Sequence, residues 1–194
     1  MNTRILFICP DIVEPSGGVK QIYRQVDVLN SLGYEALVVH QNQGFKPQWF
    51  EFDTPIEYHY MIHAELNNQP AIRPQWYVKL REAQLARNDL KIEDSNILVF
   101  PEAYGPLINQ VFPSNSKVIY NQGCYNSFRK FPLQLTKSET PYTHSDTLAT
   151  LVNSDDAINY LKLAFSDIPI FKIHHHINTN AFKPKTKKKQ IIYM

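Results

Sequence analysis

The sequence predicts a doubly wound α/β domain on a mostly parallel sheet, and three observations predict it. Apolar runs of strand length recur without polar alternation at Ile5–Cys9, Ile97–Phe100 and Val118–Tyr120, as expected of strands covered on both faces. Each run stops in breaker residues: Pro10, Pro101, or Gln122-Gly123 after Asn121. Between the runs lie stretches with apolar residues at helical spacing, and strands alternating with helices build a parallel sheet. In such a sheet ligands bind outside the carboxyl ends of the strands.

The first unit, Arg4 to His40, sets the pattern. Its opening strand runs into Pro10-Asp11-Ile12-Val13-Glu14-Pro15-Ser16-Gly17-Gly18-Val19, where two prolines stop regular structure and Gly17-Gly18 permits a sharp turn. From Val19, apolar residues at 19, 22, 23, 26, 29 and 32 form a helical stripe, with Gly33 placed as a left-handed C-terminal cap. Glu35 to His40 then reads as the second strand.

From His40 to Pro74 the pattern is poor, with one short strand expected near Ile56 to Met61. Pro74 opens a helix in which Trp76, Tyr77, Leu80, Ala83, Arg87 and Leu90 recur near helical spacing. Asn96–Phe100 is a buried strand leading to Pro101-Glu102-Ala103-Tyr104-Gly105, followed by a short helix from Pro106 to Val111 and a strand over Lys117–Asn121. Cys124 to Asp146 reads as a long functional loop whose start, Tyr125 to Phe131, interleaves aromatics with Arg129 and Lys130. Leu148–Val152 is a strand, Ser154 an N-cap with Asp155 and Asp156 in the first turn, and Ile158, Leu161, Ala164 and Phe165 the buried stripe of that helix. Ile170–Ile173 is a last strand of this domain, entering His174-His175-His176-Ile177-Asn178. Residues 1–182 are read as one domain, 183–189 as a Lys/Pro linker, and 190–194 as the first strand of a further domain.

The 194 residues, 43% of them hydrophobic, suffice for one well-buried domain. Net charge is +2, but five lysines fall within 183–189, and without them the remainder carries −3. Nucleic acid is therefore not an expected partner. The lysine run reads as a solvated linker, with contact to an anionic membrane surface as the alternative. Cys9 and Cys124 lie in separate segments and suggest no disulfide framework. No signal-peptide pattern and no membrane-spanning run is present, so a soluble, cytoplasmic protein is expected, in contact at most with the inner face of the membrane.

Several segments invite chemistry. Gly17-Gly18 could present bare amides to a ligand or simply make a tight turn; neither the spacing of a P-loop nor that of a dinucleotide fingerprint is present. His174 and His176 share one face of an extended segment and His175 the other, which leaves a metal short of a third ligand and favours polar lining of a cleft. Glu102 is a candidate general base or acceptor-hydroxyl ligand, the alternative being a cap or ion-pair residue. The mix around Tyr125 and Arg129 suits a sugar ring or an anionic acceptor, or else a loop packing its own aromatics inward.

Taken in order, the first strand with Gly17-Gly18-Val19, the Val152-Asn153-Ser154 strand end, and His174–Asn178 through Phe182-Lys183-Pro184 resemble the N-terminal domain of GT-B glycosyltransferases. The closest branch is the retaining family called family 4 or group 1. The resemblance implies one Rossmann-like domain of a two-domain GT-B architecture, this half binding the acceptor and an absent C-terminal half holding the nucleotide-sugar. It implies that the Gly17 and Gly18 amides approach donor phosphates or acceptor, that the nucleotide-sugar is a co-substrate, and that no cofactor or metal is needed. Glu102 stands in the neighbourhood where the family commonly has a histidine, and Asn178 where its closing motif has an aspartate. The family's paired glutamates lie in the second domain, so these residues alone are expected to be inactive.

The resulting expectation is that the groups at strand ends converge on one cleft. Glu102 would be its catalytic candidate. Gly17, Gly18, Val19, Tyr104, Gln122 and Gly123 would bind acceptor or donor phosphate, together with Tyr125, Arg129, Ser154, His174, His176 and Asn178. The alternatives are a non-catalytic Rossmann-like binding module or assembly subunit, and an unrelated nucleotide-using enzyme on the same fold. An exposed half-cleft could also pair the isolated domain as a homodimer.

Overall fold

The structure, a computed structural model, describes residues 3–67, 75–128, 131, 140–165 and 167–175. Its centre is a seven-stranded sheet, parallel in every pairing. The strands are β1 (Arg4–Ile8), β2 (Glu35–His40), β3 (Ile56–Tyr58), β4 (Ile97–Pro101), β5 (Lys117–Asn121), β6 (Thr147–Val152) and β7 (Ile170–Lys172), in the order β3-β2-β1-β4-β5-β6-β7. This is the Rossmann-like order, and its direction reverses between β1 and β4, which makes their carboxyl ends the switch point where a crevice forms.

The apolar runs are explained by burial on two faces. Leu6 and Ile8 of β1 enter one core with Leu98, Phe100 and Ile119, while Phe7 and Cys9 enter the other with Val38, Val99 and Tyr120. The helices α2 (Tyr60–Asn67) and α4 (Asp155–Ala164) cover the first core, and α1 (Gly17–Ser31) covers the second. Val19, Ile22, Tyr23 and Val26 of α1 are buried as the stripe predicts, whereas Leu32, at its far end, is 68% exposed. Gly33 sits at φ +88°, and the Gly33 and Tyr34 amides return to the Asn30 and Leu29 carbonyls, closing the helix. The aromatics of the poorly patterned stretch before β3 are used as packing: Phe50 and Phe52 meet the Tyr23 ring edge-on at 5.1 and 4.7 Å.

Three expectations are corrected. The strand near residue 56 is only three residues long and gives way to α2. The short helix expected from Pro106 is instead a 3-10 segment, Glu102–Gln110, broken at Gly105 with φ +60°. The helix expected from Pro74 exists as α3 (Gln75–Leu85), but none of its described residues is buried: Trp76, Leu80 and Ala83 of the stripe that predicted it face outward, and only Leu90, beyond its end, packs against the first core. Pro74, the linker 183–189 and the strand 190–194 lie outside the described residues. Both cysteines are free and buried. Among the described residues no helix is long and apolar enough to cross a membrane.

His63 in α2 carries a pH consequence. Its Nε2–H donates to the Val39 carbonyl (3.2 Å), and Nδ1 accepts from the Tyr104 hydroxyl (3.1 Å). Burial drops its pKa to about 4. An unfolded histidine takes up a proton near pH ~6.5, so between there and about 4 the unfolded chain holds more protons, and stability falls as the pH falls. His59, held low by burial against the opposing charge of Asp89, acts in the same sense. Glu102 acts in the opposite one, because its carboxyl is raised and protonation favours the folded state. In urea unfolding followed from pH 7 to 5, His63→Gln, which can still donate to Val39 and accept from Tyr104, is expected to reduce the pH slope. An unchanged slope contradicts the assignment.

Candidate functional site

At the switch point four strand ends are tied together by Gln122, the first residue after β5. Its backbone amide donates to Glu102 Oε2 (3.1 Å), its carbonyl accepts from Asn153 Nδ2 (2.8 Å), and its side-chain Nε2 donates to the Gly18 carbonyl (3.0 Å). The Gly123 amide completes the set, donating to Glu102 Oε1 (3.0 Å). Thus the turn after β1, the residue after β4, the loop after β5 and the residue after β6 are fixed relative to one another through hydrogen bonds. Glu102 is buried, which pushes its carboxyl above the ordinary range against the pull of the Gln122 and Gly123 amides.

The two glycines differ in what they do. A Cβ on Gly18 would collide with Gln122 Oε1, whereas one on Gly17 would meet open space. Ser16 caps α1 by accepting from the Val19 amide (3.5 Å), and the Lys20 amide reaches the Ser16 carbonyl (3.1 Å). The Gly17 and Gly18 amides make no hydrogen bond among the described residues, and the first turn carries no acidic side chain. Two unpaired N–H groups at the positive end of a helix are a ready site for an anionic group. Gly18→Ala is expected to displace the Gln122 side chain and cost about 1–2 kcal/mol, while Gly17→Ala is neutral or stabilises by up to about 1 kcal/mol. Chemical denaturation of the two variants side by side checks the contrast.

Beside this hub is a group the sequence reading missed. Asp11, just after β1, accepts at Oδ1 from His40 Nδ1 (2.9 Å) and the Gln41 amide (3.0 Å), and at Oδ2 from the Asn42 amide (2.9 Å) and side chain (2.8 Å). The other nitrogen of His40, Nε2, accepts from the buried Tyr23 hydroxyl at 2.8 Å, which assigns the Nδ1–H tautomer. Burial pushes the Asp11 carboxyl up, but the hydrogen bonds from His40, Gln41 and Asn42 bring it below its ordinary value. The available signal was a polar residue ending a strand that is apolar from Ala36 to Val39, next to an acid just beyond β1, in strands paired through Ile8 and Val39.

The remaining candidates divide. Val19 is buried in the core against α1's own face of the sheet, and Tyr104 is buried in the other core with its hydroxyl on His63, so both have packing roles. Ser154 N-caps α4 by accepting from the Ala157 amide (3.1 Å), as its sequence context predicts. Tyr125 is 79% exposed, its hydroxyl donating to Asp156 (3.4 Å) and its ring edge-on to Tyr160. Part of the aromatic loop start does turn inward, for Phe128 packs against Phe131, Tyr160 and Phe165. His174 is exposed just beyond the carboxyl end of β7 and makes no hydrogen bond among the described residues. Arg129, His176 and Asn178 lie outside the described residues. Among the described residues no group of three His, Cys, Asp or Glu side chains is placed to hold a metal ion.

The arrangement therefore offers unpaired amides for an anion, a raised carboxyl whose oxygens keep acceptor capacity beyond one amide each, and exposed Tyr125 on the adjoining loop. No protein-family model matches the chain, and no curated protein matches its sequence.

Proposed function

We propose that this chain is the acceptor-side half of a retaining glycosyltransferase that moves a sugar from a nucleotide-sugar to a hydroxyl acceptor. The observation that carries the reading is the pair of unpaired Gly17 and Gly18 amides, pinned by Gln122 at the switch point of a Rossmann-like sheet. The order of the sequence motifs supports it as well. In this reading the amides meet a phosphate or an acceptor oxygen, Glu102 accepts a hydrogen bond from the acceptor hydroxyl, and Tyr125 offers an apolar ring face to a sugar. The nucleotide-sugar is a co-substrate rather than a resident cofactor, and the work is done in the cytoplasm, at or near the inner face of the membrane.

A second reading, a non-catalytic binding module, is favoured by one specific feature: both Glu102 oxygens already serve backbone amides, and the Ser154 hydroxyl serves as a cap. The protein in its natural length, incubated with labelled nucleotide-sugars and candidate acceptors, separates the two. Sugar transfer with retained anomeric configuration, weakened by Gly18→Ala, is the expected result. Saturable binding without turnover selects the binding module, and neither binding nor transfer overturns both.

A further inference from the structure

Between β2 and β3 the chain bends around an open cavity of about 580 Å³, a volume suited to a small organic ligand. A single stretch, Lys46 to Asp53, supplies its lining. The apolar part is Phe50 and Phe52, both half-buried, with Pro47 buried beside them. Both rings meet Tyr23 of α1 edge-on, they lie 5.2 Å from one another, and Trp49 packs on Phe50 at 4.4 Å. This wall is fixed, because moving it would disturb the second core. Just past the cavity the Thr54 hydroxyl donates to Asp27 of α1 (2.6 Å) and anchors the far end of the loop.

The polar part of the lining is exposed and uncommitted. Lys46, Glu51 and Asp53 form no ion pair among the described residues, and Gln48, whose Nε2 donates to the Lys46 carbonyl (3.2 Å), keeps its amide oxygen as an acceptor. Two carboxylates disfavour an anion. They do not make a cation site either, with Lys46 on the same cavity and no group of three acidic, histidine or cysteine ligands among the described residues. Carboxylates that accept, an ammonium that donates and a rigid ring wall complement a sugar, which carries hydroxyls around its rim and C–H groups on its faces. We infer that the 46–53 loop is a saccharide-binding site, with Glu51 and Asp53 accepting from sugar hydroxyls, Lys46 donating to a sugar oxygen, and Phe50 and Phe52 bordering an apolar sugar face. The inference rests on this cavity and does not depend on glycosyl transfer.

Titration of the protein in its natural length with glucose, galactose, mannose, N-acetylglucosamine, maltose and cellobiose, read by tryptophan emission, tests it. At least one of these sugars is expected to give a saturable change that Trp49→Phe removes, since Trp49 packs on the cavity wall. Glycerol and inorganic phosphate at the same concentrations should give none. The double variant Glu51→Gln with Asp53→Asn should bind that sugar about tenfold or more weakly while keeping its unfolding midpoint, because both side chains are exposed. In the unmodified protein, amide shifts on adding that sugar should fall at residues 46–53, which keeps the test decisive if a variant does not fold. No saturable change with any of these sugars, an equal response to glycerol, saturable phosphate binding at these residues, undiminished binding in the double variant, or shifts confined elsewhere would each overturn it.

Discussion

Replacing Glu102 with alanine is expected to cost about 3 kcal/mol or more of folding stability, among the largest effects of any single change outside the hydrophobic cores. The carboxylate accepts from two successive amides, those of Gln122 and Gly123, in a site where the side chain is only 7% exposed. Removing it leaves two donors poorly hydrated and frees the loop that carries the Gln122 side chain to Gly18. Glu102→Gln keeps one carbonyl oxygen but sets an NH2 group against the other amide, so about 1–2 kcal/mol is expected. Urea unfolding of both variants checks the order. If Glu102 also contacts the acceptor, Glu102→Gln lowers kcat by more than its stability loss can explain, and a change in stability alone assigns it to the loop.

Replacing Asp11 with alanine should have an effect of similar size, about 3 kcal/mol, through a different route. Its four accepted hydrogen bonds hold the chain after β1 to the end of β2 and orient His40, whose ring is fully buried. Without the carboxylate, Nδ1–H loses its partner and the bond to the Tyr23 hydroxyl loses the tautomer that fixes it. Asp11→Asn should be intermediate, since one oxygen remains. Because the Asp11 pKa is depressed, the stability it contributes is full above the ordinary carboxyl range and is lost as the pH falls through its folded-state value. A wild-type chain therefore loses stability on acidification below about pH 4, and the alanine variant, already without that contribution, loses less there.

Much of the sheet was legible because burial on both faces leaves a plain signature: β1, β4 and β5 are apolar runs, and the cap Ser154 stands one residue before its helix. Helix α2 was not legible, since its start is stabilised from far away. Asp89 accepts from the Tyr60 and Met61 amides at 2.6 and 3.1 Å, a cap supplied from the far side of α3 in sequence, and the local cap is His59, whose Nδ1 accepts from the Ile62 amide (3.1 Å), rather than one of the usual Ser, Thr, Asp or Asn signals. For α3 the spacing identified a helix but could not say which side the fold would cover. At the site, Gly17, Gly18, Glu102 and Gln122 were legible from their place at strand ends, because parallel topology alone gathers such residues. The pairing of Asp11 with His40 and Tyr23 depends on register between neighbouring strands and on the way α1 lies across them, which the sequence encodes only collectively.

The most direct test of the account is an amide NMR titration of the protein in its natural length with nucleotide-sugars. The proposed site predicts the largest shifts at the Gly17 and Gly18 amides, with smaller ones at Gln122 and Gly123, and weaker binding in Gly18→Ala. Saturable binding whose shifts lie elsewhere and leave the Gly17 and Gly18 amides unmoved would contradict it.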